Sequence, residues 1–226
     1  MFVGWYMTRN PLTVTPKTPV IAARELMNDR KVRHLPVLDP GGRLQGIITD
    51  RDIRKAWASP ATTLSVYELT YLLQKITVDS IMTRPVVSVT PDTTIERATA
   101  ILHEQRIGAL PVVHLGKLVG LISSSDLVGV LLKAIGVAED SSRITLLVDN
   151  RGAVIEWITH IIHQAGINIR SIMTLSMPGC DSCWELTLRV NLALKSAAIE
   201  ALSQAGLQVI TEYREDLSQL INRPDL

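Results

Sequence analysis

The chain has 226 residues, 23 Lys and Arg against 22 Asp and Glu, and a formal charge of +1. At about 100–200 residues per domain, that length allows one large domain or two to three small ones. The 46% apolar share excludes wholesale disorder, the balanced charge offers no general field for nucleic acid or an anionic membrane, and nine aromatic residues give no base-stacking platform.

The opening stretch Met1 to Met7 lacks the basic and long apolar regions of a signal peptide. No apolar run approaches the ~18–20 residues of a transmembrane helix. Two cysteines cannot build a disulfide framework, so a reducing compartment is expected. The expectation is a soluble, cytoplasmic protein.

The first elements recur. Met7-Thr8-Arg9-Asn10-Pro11, running on to Thr15-Pro16, matches Met82-Thr83-Arg84-Pro85-Val86, running on to Thr90-Pro91. At the same offset Leu35-Pro36-Val37 meets Leu110-Pro111-Val112. After a one-residue contraction in a turn, Gly46-Ile47-Ile48-Thr49-Asp50-Arg51-Asp52 meets Gly120-Leu121-Ile122-Ser123-Ser124-Ser125-Asp126. Thr13-Val14 and Ser88-Val89 read as short extended pieces. Apolar residues at helical spacing predict helices over 20–30 and 94–104, the second with Thr93 as N-cap and Glu96 three residues on. Hairpins follow at 34–48 and 109–122, then helices at 50–58 and 124–135, with Gly136 as a stop. Each unit runs β-α-β-β-α. Between them, Ser65 to Ile76 predicts an amphipathic helix with a Ser65–Glu68 capping box.

These two units resemble a tandem pair of CBS domains, a Bateman module. The resemblance rests on the doubled Met-Thr, the Leu-Pro-Val strand and the Gly-h-h-Thr/Ser-x-x-Asp exit (h, apolar), and it covers Met1 to Gly136.

After a polar linker at 137–142 come a strand from Arg143, a turn at Asp149 to Gly152, and a helix at 153–165 with Ile155, Ile158, Ile161 and Ile162 inward. Strands at 167–176 and 184–190, a helix at 197–205 and a strand at 208–213 complete a ferredoxin-like β-α-β-β-α-β order. Asp149-Asn150-Arg151-Gly152 and Ala165-Gly166-Ile167-Asn168 resemble an ACT domain, although the family usually has Pro where Arg151 stands. A CBS pair followed by one ACT domain is similar to the B-type acetoin-utilization proteins. The fold class is therefore α+β. Its expected parts are CBS unit 1 (1–60), a connecting helix (61–79), CBS unit 2 (80–136), the linker, an ACT-like domain (143–213) and a tail (214–226).

Thr49 with Asp52, and Ser123 with Asp126, form the sharpest constellation. A hydroxyl where a strand runs into a helix, with the free N–H groups beside it, can meet a phosphate. A carboxylate one turn on can accept both ribose hydroxyls. The same spacing is an ordinary N-terminal cap, and by spacing alone the cap carries more weight. The CBS resemblance reverses that balance, because the family holds adenosine-type ligands at these positions. It implies a first site at Thr49, Arg51 and Asp52, completed by Thr13, His34, Leu35 and Pro36. The second would hold Ser123, Ser125 and Asp126, completed by Ser88, Ala109, Leu110 and Pro111. Arg33, Arg51, Arg54 and Lys55 lie near the first site in sequence, while Ser124 and Ser125 flank the second. A phosphorylated adenosine is accordingly expected in the first and a less charged ligand, or none, in the second. Leu35-Pro36 and Leu110-Pro111 are the expected walls for adenine.

The ACT resemblance implies an amino-acid effector near Asp149, Asn150, Gly152 and Asn168. Cys180 and Cys183 form a Cys-x-x-Cys that reads as structural or incidental before redox-active or metal-binding. His160 and His163 share one helical face, but the expected topology keeps them from the cysteines. No metal or required cofactor is expected, and no nucleophile-and-base motif marks an enzyme. The chain reads as a homodimeric sensor of adenosine nucleotides that acts on a partner enzyme and touches neither nucleic acid nor membrane. A structural adaptor with vestigial sites and an enzyme with unrecognised thiol chemistry are the competing readings.

Overall fold

The computed structural model describes residues 1–58, 75–149, 153–177, 183–213 and 221–222. The body of the expected connecting helix, with its Ser65–Glu68 cap, lies outside the described residues. The chain divides into two compact units, Met1–Val128 and Gly129–Leu226. No helix among the described residues is long and apolar enough to cross a membrane.

In the first unit, α1 (Val3–Tyr6) and β1 (Thr8–Arg9) precede α2 (Val20–Arg30), the hairpin β2 (His34–Leu38) and β3 (Leu44–Thr49), and α3 (Asp50–Ala58). The second copy is α4 (Ile95–Gln105), β4 (Ala109–His114), β5 (Lys117–Ser123) and α5 (Ser124–Ala134). Helix α2 buries Val20, Ala23 and Met27 against Leu35, Val37 and Ile48. Helix α4 buries the matching Ile95, Ala98 and Leu102. Val14 and Val89 make parallel bridges to Val37 and Val112, so the short extended pieces flank each hairpin. The cap of α4 is Thr94, not Thr93: Thr94 Oγ1 accepts from the N–H of Arg97 at 3.2 Å. Thr93 Oγ1 instead accepts from the N–H of Thr90, closing the turn before the helix.

The leading segment of each repeat packs on the other repeat. Residues of β1 pair antiparallel with β5, Thr8 against Leu121 and Arg9 against Gly120. In the same relation, Thr83 bridges to Ile47 of β3. Val3 donates to the carbonyl of Thr93, as Val78 does to that of Thr18. The thioether of Met7 lies over Gly120 and that of Met82 over Gly46, so closely that a Cβ at either glycine would meet sulfur. The recurring Met and the recurring Gly are partners across the two repeats.

The second unit contains β6 (Ser141–Asp149), α6 (Val154–Gln164), β7 (Ser171–Ser176), β8 (Cys183–Asn191), α7 (Lys195–Gln204), β9 (Val209–Ile210) and β10 (Ile221–Asn222). Antiparallel pairing runs β9-β6-β8-β7, the order of a ferredoxin-like unit. Alternation on β6 sends Ile144, Leu146 and Val148 towards Val154, Ile158 and Ile162 of α6. Ile155, expected inward, is 40% exposed, because Val154 rather than Ile155 falls on the turn-by-turn line with Ile158 and Ile162. The final strand is shorter than expected. Buried Asn222 on β10 accepts from the N–H of Gln208 at 2.6 Å and donates to the carbonyls of Gln208 and Leu147. Beyond β9, the edge of β6 thus passes to β10, which lies parallel to it. The stretch read as a polar linker is partly strand, since Ser141 and Ser142 already belong to β6. Asp140 is held by the Arg170 guanidinium at 2.6 Å, a contact that keeps the carboxyl below its usual range.

Candidate functional site: two clefts built across the repeats

The exchange of leading segments decides where the sites form. Strand β3 ends at Thr49 and α3 begins at Asp50. The Asp52 carboxylate accepts from the Thr49 N–H at 2.9 Å and from its hydroxyl at 2.6 Å, while the Asp52 N–H donates to Thr49 Oγ1 at 3.2 Å. The second repeat repeats this with Ser123 and Asp126 at 2.8, 2.7 and 3.2 Å. Both corners are reciprocal capping boxes. In each, the carboxylate contacts run to Oδ2 alone, so the cap does not engage Oδ1. At the helix start, the Asp50 N–H donates to the Arg33 carbonyl at 3.0 Å and the Asp52 N–H is taken by the cap. That leaves the N–H of Arg51 unpaired among the described residues, at the positive end of the helix.

Cleft 1, of about 510 Å³, joins this corner to the other repeat. Thr49, Asp50, Arg51, Asp52 and Arg54 form one wall. Pro85, Val86 and Val87 with Arg106, Ile107, Gly108 and Ala109 form the opposite one. Cleft 2, of about 690 Å³, is its counterpart. There Ser123, Ser125 and Asp126 face Asn10, Pro11 and Leu12 together with Lys31, Val32, Arg33 and His34.

Several expected residues are placed differently. Leu35 and Leu110 have no exposed surface, Pro36 and Pro111 are buried, and none of the four lines either cleft. Both faces of these strands are covered, so the Leu and the Pro, which point to opposite sides, are enclosed alike. The apolar walls come instead from the leading segments, Val86 and Val87 in cleft 1 and Pro11 and Leu12 in cleft 2. Thr13 and Ser88 line neither cleft, and Ala109 lies in cleft 1. The expected charge contrast is absent. Cleft 1 carries four arginines against two aspartates, and cleft 2 carries Arg30, Lys31 and Arg33 against Asp126. Charges near Thr49 in sequence are shared out across space, because each cleft draws cations from the opposite repeat.

Arg33 and His34 line both clefts and oppose the small pair Gly108-Ala109. A Cβ at Gly108 would come within 2.7 Å of His34 Nε2, so only one repeat can carry a large residue at this seam. Burial pulls the His34 imidazole below its ordinary pKa, against the raising influence of Asp50. Arg33 lowers it further, and Asp52 raises it.

Lys31 and Arg106 escaped the reading of the sequence. They cap α2 and α4 in the left-handed conformation, with φ of 52° and 53°. A cation at the same repeat position, where a helix stops without glycine, is the signal that could have found them.

In the second unit, Asp149 is buried at the end of β6 and Asn168 is exposed, while Asn150 and Gly152 lie outside the described residues. Cys183 is buried and disulfide-bonded, which departs from the expectation of reduced thiols; Cys180 lies outside the described residues. His160 and His163 are both exposed. No group of metal-binding side chains gathers among the described residues.

A family model for the CBS domain matches residues 4–59 and 78–133. A CBS domain-containing protein of Dictyostelium discoideum is 32% identical over 136 residues, 60% of this chain and 94% of that protein. Inosine-5'-monophosphate dehydrogenase of Thermoplasma acidophilum is 34% identical over 121 residues, 53% of this chain, and the chain spans only 21% of that enzyme. Among solved structures, a putative acetoin utilization protein from Vibrio cholerae superposes with a TM-score of 0.51 at 29% identity, covering 59% of this chain and 91% of that one. The Arabidopsis thaliana protein CBSX2, in complex with AMP, gives 0.50 at 31% identity, covering 58% and 96%. The CBS domain pair of protein MJ0100, in complex with 5'-methylthioadenosine and S-adenosyl-L-methionine, gives 0.50 at 26%, covering 58% and 95%.

Proposed function

The chain belongs to the CBS-domain family, and on that premise we propose that it is a regulatory protein sensing adenosine-containing nucleotides (AMP, ADP, ATP or S-adenosylmethionine) in its two clefts. One observation carries the reading. Each cleft brings an apolar wall, a carboxylate at a helix start and three or more cations into one space. An adenosine nucleotide has matching parts: a flat apolar base, a diol and an anionic chain. The neighbours solved with AMP and with S-adenosyl-L-methionine support the choice of ligand class.

The roles follow from chemistry. Val86 and Val87, or Pro11 and Leu12, cover the adenine. Asp52 or Asp126 keeps its cap through Oδ2 and accepts ribose hydroxyls through Oδ1. The spare helix N–H of Arg51 and the cleft cations meet the phosphates. A ligand bound in either cleft touches both repeats and favours the packing that closes on it.

The rest of the reading extends outward. The ferredoxin-like unit is an ACT domain taking an amino acid, the chain is a homodimer, and the ligand-dependent packing controls a partner enzyme rather than a reaction of its own. Mass spectrometry of small molecules released from the purified chain, followed by calorimetric titration with AMP, ADP, ATP and S-adenosylmethionine, tests the core claim. Micromolar binding of at least one, weakened in Asp52→Asn or Asp126→Asn, is expected. A chain that binds none of them would overturn it.

A further inference from the structure

Helices α6 and α7 cover one face of the sheet in the second unit, where Ile144, Leu146 and Val148 join the core. The alternate residues of β6, Arg143, Thr145 and Leu147, stand on the other face. A cavity of about 400 Å³ opens there, lined by these three together with Glu185, Ile210, Met177 and the exposed Tyr213. Among the described residues it shares none with the clefts of the first unit. Asp149 and Asn168, two of the expected effector positions, do not line it either.

A sheet face left to solvent carries exposed polar side chains, and one made for packing carries apolar ones. This face does neither. Thr145 and Thr187 are buried, with their hydroxyl oxygens 3.1 Å apart. Thr187 donates to Glu185 Oε1 at 3.1 Å. A hydroxyl has one proton, so in the other contact Thr145 is the donor. The relay therefore ends on the Glu185 carboxylate and leaves its Oε2 without a partner among the described residues. The Arg143 guanidinium has no acceptor there either. The two opposite charges are spread along the sheet. Glu185 stands opposite Leu147, four residues beyond Arg143 on β6. At about 3.3 Å per residue, those positions are roughly 13 Å apart. Thr145 and Ile210, paired across β6 and β9, lie midway.

We propose that this cavity binds a small linear zwitterion, with its carboxylate on Arg143, its ammonium on Glu185 and its apolar middle over Ile210 and Leu147. Long side chains close part of the gap between the charges. A ligand with carboxylate and ammonium at opposite ends of a short chain closes the rest. An α-amino acid, with both groups on one carbon, is too short. The proposal goes beyond the nucleotide reading and does not rest on it.

Four six-carbon probes test the charges one by one. ε-Aminocaproate carries both at opposite ends, norleucine carries both on one carbon, caproate has only the anion and hexylamine only the cation. Each would be titrated into the intact chain, with affinity read by calorimetry and position by amide NMR shifts. ε-Aminocaproate should bind about tenfold tighter than the other three, or better. It should move the amides of Thr145, Leu147, Glu185 and Ile210. Arg143→Gln should lower its affinity to that of hexylamine. Glu185→Gln, which can still accept from Thr187, should lower it to that of caproate. Both variants should keep the wild-type melting midpoint without ligand. No saturable binding of ε-aminocaproate, norleucine binding as tightly, or an affinity unchanged in both variants would overturn the proposal. Shifts confined to Asp149 and Asn168 would overturn it too, by placing the ligand at the effector positions. None of these outcomes touches nucleotide binding in the first unit, which is read separately.

Discussion

The cross-repeat contact of Met7 with Gly120 should behave as one energetic unit. A Cβ at Gly120 would lie 2.8 Å from Met7 Cγ and 3.1 Å from the Thr8 carbonyl oxygen. Nonbonded carbons sit about 3.5–4.0 Å apart, so Gly120→Ala forces about 1 Å of movement. The methionine end is flexible, but the Thr8 carbonyl is fixed by the pairing of β1 with β5. Overpacking of this kind costs about 1–3 kcal/mol. For a unit of this size, 2 kcal/mol lowers the melting midpoint by about 6–8 °C. Met7 is 9% exposed, and Met7→Ala alone should cost about 2–4 kcal/mol through the cavity it leaves. The double variant places the new methyl where the thioether was. Its loss should therefore fall short of the sum of the single losses by at least 1 kcal/mol. Urea unfolding followed by circular dichroism, read on the transition of the first unit, measures all four corners of the cycle. Strict additivity would refute the claim that the recurring Met and Gly are partners. Gly46→Ala with Met82→Ala should repeat the result.

Three further outcomes are expected. Asn222→Ala removes the bonds to Gln208 and Leu147 and leaves buried groups unpaired, so the second unit should lose about 2–3 kcal/mol, with early hydrogen exchange at Gln208; undisturbed exchange there would contradict it. Asp126→Ala should cost about 1 kcal/mol of stability without any ligand, because the cap is lost, and equal urea midpoints for variant and wild type would count against the cap. The folded-state pKa of His34 lies below its ordinary value of 6.5, so the unfolded chain takes up that proton first as pH falls. The associated stability is present above about pH 6.5 and is lost as pH falls through the folded value. The melting midpoint should drop less on acidification in His34→Gln than in wild type, and parallel profiles would remove His34 from the account.

The local elements were legible because short-range signals dictate them. The Asp-Pro-Gly-Gly turn, the apolar spacing of 20–30 and the Thr-x-x-Asp exit each act within a few residues. The corners were also readable as chemistry: Thr49–Asp52 and Ser123–Asp126 are caps and cleft residues at once. The walls were not legible. Leu35 and Leu110 are apolar and aromatics are scarce, which makes them natural walls in the sequence, yet their strands are covered on both faces and the leucines lie in the core. The residues that complete each cleft lie across a long-range exchange that no local pattern encodes. The doubled Met and Gly carried that information without stating their partner. Asn222 was equally silent, since its hydrogen bonds reach back 75 and 14 residues.

On the proposed function, the exchange explains how a cap would also serve a ligand. A capping box closed on itself would leave only solvent in front of Oδ1. Here the leading segment of the opposite repeat passes in front of the corner, adding apolar surface, and the end of the opposite helix adds a cation. On that reading, neither repeat would supply base, sugar and phosphate contacts alone. A nucleotide that uses all three must bridge the repeats, and its binding energy then depends on how they pack. That dependence is what a sensor requires. It also sets a demand on stability: the seam at Arg33, His34 and Gly108 must hold without ligand, yet remain able to shift. Met7, Gly120, Met82 and Gly46 do not themselves line the clefts, although their chain neighbours Thr8, Leu121, Thr83 and Ile47 do, so these contacts can hold the pair together beside the seam.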